Sequence, residues 1–182
     1  MNQKKQIVIK ATTFLMGMVF AVIAQAHIVL LHQTAEVGSN YKAVFKVGHG
    51  CGDSPITKIV ISIPDGVQGA KPMVKPGWNI LIKKDLLSKP YISHGKTITK
   101  DTTEIIWEGH LLPNDFYDEF VIVGKLPDQA GKIYWKVTQV CEKGSIEWSE
   151  VPKGHQQLQN LQFPAAELLL IKPDQIDHQH YH

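Results

Sequence analysis

Beyond residue 26 the chain is written in short alternating segments divided by turn residues. Up to residue 153 no stretch carries a helical period of useful length. Residues 41–47 alternate, placing Tyr41, Ala43, Phe45 and Val47 on one face. Residues 58–63 place Ile59, Ile61 and Ile63 together before the turn Pro64-Asp65-Gly66. Residues 78–82 and 97–100 read as weaker strands. Residues 103–108, 117–125, 132–141 and 145–151 read as stronger ones, with a last strand at 168–171. Residues 153–162 are polar and glutamine-rich, and read as a loop. Eight or nine short strands at this spacing predict an all-β chain. The predicted fold is an antiparallel β-sandwich of immunoglobulin or fibronectin-III-like architecture. With 182 residues, 43% of them hydrophobic and 20% charged, the chain can fill one core and does not have the composition of a disordered one.

The first 26 residues obey a different rule. Residues 1–10 are polar and carry Lys4, Lys5 and Lys10, residues 11–23 are apolar and uncharged, and Ala24-Gln25-Ala26 is a small-x-small site. This order predicts a cleaved signal peptide over residues 1–26. The apolar run falls short of the roughly 20 residues that cross a bilayer. The expectation is therefore a secreted or periplasmic protein, not transmembrane after cleavage, with its domain over 27–172 and a histidine-containing tail over 173–182. Without the leader, 16 lysines stand against 17 acidic residues, a net charge of −1, and there is no arginine. Such a chain lacks the basic surface that nucleic acid requires.

Cleavage after Ala26 makes His27 the first residue. Its free amine and ring Nδ1 can then close one chelate ring on a metal ion. Nitrogen donors of this kind suit Cu(II), which heads the divalent affinity order. Cys51 shares the parity of Phe45 and Val47, and Cys141 that of Trp135 and Val137, so both are expected to point inward. In an oxidising compartment an even cysteine count favours a disulfide over a thiolate metal pair.

Several segments then align with a known family. They are His27-Ile28-Val29-Leu30, Lys75-Pro76-Gly77-Trp78, Glu104-Ile105-Ile106-Trp107, Phe116-Tyr117-Asp118-Glu119-Phe120, Leu126-Pro127-Asp128 and Ile146-Glu147-Trp148. Across residues 27–152 the chain resembles the YcnI-like family of exported copper-binding domains. The resemblance implies an immunoglobulin-like sandwich binding one Cu(II) through a single-histidine brace at His27. It also implies a carboxylate, best matched by Glu119, a tryptophan beside the metal, best matched by Trp148, and a role in copper homeostasis or delivery among other exported or membrane copper-handling proteins.

Other residues are weaker candidates. His49, between two glycines and two residues before Cys51, is a possible further copper ligand or a histidine hydrogen-bonded beside the disulfide. Trp78 is expected to be structural or to line the rim of the site. Glu119 shares a face with Val121 and Val123, where a carboxylate wants a partner, whereas Asp118 points the other way and is expected to be exposed. His178, His180 and His182 can gather metal ions on a flexible arm. Once the leader is gone Met73 is the one methionine left, which excludes a methionine-rich Cu(I) site. No Gly-x-Ser-x-Gly or His-Glu-x-x-His pattern is present, so hydrolase chemistry is disfavoured and a non-enzymatic role expected. The rival readings are a copper monooxygenase-like oxidase, for which His49 would serve as second histidine, and a metal-free protein-binding sandwich.

Overall fold

The computed structural model describes residues 27–173. The expected signal peptide and the tail histidines His178, His180 and His182 lie outside them.

Twelve strands make up the described residues: β1 (Val29–Leu30), β2 (Thr34–Glu36), β3 (Asn40–Val47), β4 (Ile56–Ser62), β5 (Gln68–Pro72), β6 (Asn79–Ser93), β7 (Lys96–Leu112), β8 (Asp118–Lys125), β9 (Gly131–Trp135), β10 (Val137–Cys141), β11 (Ser145–Trp148) and β12 (Ala166–Ile171). They form a four-stranded sheet in the order β1-β3-β8-β5, a five-stranded sheet β11-β10-β4-β7-β6 and a three-stranded sheet β2-β12-β9. Pairing is antiparallel except between β2 and β12.

The alternation in the sequence decides what lies between the sheets. Ala43, Phe45 and Val47 from β3 meet Phe120 and Ile122 from β8 and Ile59, Ile61, Ile105 and Trp107 from the second sheet, all essentially removed from water. Burying side chains of this size contributes about 1.5–3 kcal/mol each. Phe45 packs edge-on against Trp135, and Phe120 against Trp107. The expected sandwich is therefore observed.

Three details differ from the sequence reading. Residues 132–141 are two strands: β9 pairs with β12, and β10 pairs with β4 and β11. The chain changes sheets at exposed Lys136. Its alternation runs through that step unbroken, so hydrophobic pattern alone carries no mark of the switch. Second, the weak segments 78–82 and 97–100 belong to one long hairpin, β6–β7. Much of β6 is exposed on both faces, which removes the alternation that marks a half-buried strand. Third, β1, β2 and β5 are short and were not visible as alternating runs.

Candidate metal centre

His27 enters just ahead of β1, half-buried, while Ile28 and Leu30 beside it fill the core. Its ring meets that of Trp148 edge-on, with centroids 5.6 Å apart. Trp148 lies in β11, 1% exposed, and Phe163 packs on it from another side at 5.7 Å. The structure thus brings together two residues separated by 121 positions in sequence, which strand parity had no means to pair.

Trp148 is fixed by a residue that the sequence reading missed. Gln139 is 1% exposed on β10. Its Oε1 accepts a hydrogen bond from Trp148 Nε1 at 3.0 Å, and its Nε2 donates to the His49 carbonyl at 2.9 Å. A buried amide with both ends engaged orients its neighbours firmly, because either end left open would cost desolvation. The signal was present: Gln139 shares the inward parity of Trp135, Val137 and Cys141, where a polar residue needs a partner.

The expected disulfide joins Cys51 to Cys141, with Cα atoms 6.0 Å apart, and the backbone N–H of Cys51 approaches Cys141 Sγ at 3.0 Å. The loop ahead of it is tight. A Cβ on Gly50 would meet the Ser54 carbonyl oxygen at 1.9 Å, so no side chain fits there. The Gly50 N–H donates to Asn114 Oδ1 at 2.8 Å. His49 is half-buried, and its Nδ1 lies 2.6 Å from the Gly50 carbonyl oxygen. Disulfide, Gln139, Trp148 and His27 therefore form one contiguous chain of contacts.

Glu119 lies in β8, opposite Lys46 of β3, which in turn faces Val29 of β1. Glu119 is thus at the His27 end of this sheet, two strands away. Tyr117 Oη donates to Glu119 Oε1 at 2.6 Å. Partial burial, then that hydrogen bond and the carboxylate charge, push the Tyr117 phenol up to about 12, so it remains a donor. Asp118 is not simply exposed: it pairs with Lys75 Nζ at 2.5 Å, and Lys75 also donates to the Glu119 carbonyl at 2.9 Å. Trp78 is buried against Phe120 and His110, at 5.1 and 5.4 Å.

Among the described residues no group of three or more His, Cys, Asp or Glu side chains is arranged to hold a metal ion. A brace takes two donors from one residue, so such a cluster is not its signature. The donor types at this end, imidazole and carboxylate, are those that nitrogen- and oxygen-preferring ions take.

The fold and this arrangement define an immunoglobulin-like β-sandwich. It is similar to a crystal structure of an uncharacterized protein from Nocardia farcinica described as having an immunoglobulin-like fold: 17% identity, TM-score 0.59, covering 79% of this chain and 97% of that one. At this identity the likeness concerns the fold alone. A cohesin–dockerin complex from Clostridium thermocellum is more distant, with 7% identity and a TM-score of 0.35 over 80% of this chain and 98% of that one, and carries no argument. No curated protein matches the chain by sequence. Residues 27–170 match the model of a family described as a domain of unknown function, DUF1775, and the chain belongs to that family.

Proposed function

We propose that this protein is an exported, non-enzymatic Cu(II) carrier of the YcnI-like kind, which takes copper as cargo at His27 and passes it to other copper-handling proteins outside the cytoplasm. The observation that carries this reading is the edge-on contact between His27 and buried Trp148, held in place by Gln139. Once the leader is removed, His27 offers its amine and ring nitrogen together. Its ring is already oriented by packing, which lowers the entropy cost of closing the chelate. Glu119 supplies the carboxylate. Tyr117 donates to one of its oxygens and steadies it, leaving the other as the donor a metal ion would take. The indole of Trp148, in contact with the His27 ring, would screen an ion held there from water and small reductants.

Amine, imidazole and carboxylate favour the oxidised ion, so reduction to Cu(I) loosens the grip and permits transfer. Acid weakens binding, because protons compete for both nitrogens. The test is a Cu(II) titration of the chain beginning at His27, run beside the same chain with one extra residue ahead of it. The expected result is one tight site in the first and its loss or great weakening in the second. Equal affinity in both refutes the brace.

A further inference from the structure

The outward face of the β1-β3-β8-β5 sheet is not an ordinary solvated face. Leu31, Val44, Val121 and Met73 form one row across all four strands, joined by Leu31 N to Val44 O, the Val44–Val121 pair and Met73 N to Val121 O. Val44 and Val121 fill its middle and are themselves buried, each 5% exposed, while Leu31 and Met73 at its ends are 47% and 52% exposed. In the next row exposed Val123 stands between Lys42 and Lys71. Lys125 extends beyond, and Lys46 flanks the stripe on the other side. Phe116 and Tyr117, both more than half exposed, close the end nearest His27. Among the described residues Lys42, Lys46, Lys71 and Lys125 make no ion pair, and the carboxylate on this face, Glu119, is engaged by Tyr117. A net-positive, apolar-centred face thus appears on a chain whose residues from His27 onward sum to −1.

We propose that this face docks on an anionic lipid surface. A solvated sheet face alternates to polar residues; here exposed Leu31, Met73 and Val123 surround a buried Val44–Val121 centre, and apolar residues clustered in this way mark an interaction surface. Lys42, Lys71 and Lys125 on one side of the stripe and Lys46 on the other add attraction to anionic headgroups, and aromatic residues at one end suit the membrane–water boundary. A second copy does not fit, because it would set one net-positive face against another. An acidic protein shares the charge, but protein interfaces favour arginine and avoid lysine, and this chain has no arginine. Flexible point charges suit a diffuse headgroup field better than a fixed set of carboxylates. The proposal is independent of copper, and its test contains none.

The test is co-sedimentation of the chain from His27 to His182, which contains every strand, with vesicles of phosphatidylcholine alone or mixed equally with phosphatidylglycerol. Binding is expected to the mixed vesicles, not to phosphatidylcholine alone, and is expected to fall at high salt. The Lys42→Glu/Lys71→Glu variant is expected to bind roughly 25-fold more weakly or worse. The Lys143→Glu/Lys153→Glu variant, with the same net charge and its changes at exposed positions on other elements, is expected to bind like the parent. No binding to the mixed vesicles overturns the proposal and leaves the face to an acidic protein. Equal loss in the two variants also overturns it, because net charge and not this face would then govern binding.

Discussion

Replacing Gln139 with leucine tests the internal link between the disulfide end of the sandwich and His27. Leucine nearly matches the volume, so no large cavity opens. What is lost is both hydrogen bonds, at 3.0 Å to Trp148 Nε1 and 2.9 Å to the His49 carbonyl. Each buried group left without a partner costs about 1–3 kcal/mol, and leucine recovers part of this through its own burial. The net expectation is a loss of about 2–4 kcal/mol, or a fall in Tm of roughly 5–15 °C for a domain of this size. Urea unfolding followed by circular dichroism measures it. A second readout isolates the positioning role. The His27 ring protons lie beside the Trp148 ring, so their ring-current shifts are expected to change in Gln139→Leu. They should stay put in Ile59→Val, a core change that costs stability elsewhere. A loss below about 0.5 kcal/mol, with unchanged His27 shifts, would refute the reasoning.

Two further outcomes follow from the fold. Replacing Cys51 and Cys141 together by alanine opens a link spanning 90 positions and is expected to cost up to about 4–5 kcal/mol, measured by urea unfolding of parent and variant; a cost under about 1 kcal/mol contradicts the staple. Asp101 is buried, which by itself raises its pKa, but hydrogen bonds from Tyr91, Gly69 and Thr102 and the charge of Lys84 outweigh this and hold it below the usual carboxylate value. Its contribution to stability is complete above the ordinary value of 3.8 and is lost as the pH falls through the lowered one. Asp101→Asn is therefore expected to flatten the acid limb of a stability–pH profile, and an unchanged limb would contradict it.

The sandwich was legible because its central strands are half-buried: Phe45, Ile59 and Ile61 announce the core by parity alone. The cysteine pair was legible for the same reason. Neither β6 nor the step at Lys136 was, since one lacks a buried face and the other keeps its alternation while changing partners. At the candidate site, the family resemblance named His27, Glu119 and Trp148 together, whereas strand parity treated each alone. The contact of His27 with Trp148 required the third dimension, as β1 and β11 belong to different sheets. Gln139 was overlooked although its inward parity advertised a buried polar group. The apolar row through Val44 and Val121 was equally hidden, because both read as ordinary strand residues until their shared outward face is known.

Electron paramagnetic resonance of the one-to-one Cu(II) complex, prepared with the chain starting at His27 and nitrogen-15-labelled histidine, addresses copper binding most directly. Nitrogen coupling from a single imidazole together with an amine is expected, and a different spectrum in His27→Ala. A spectrum that His27→Ala leaves unaltered would contradict the brace.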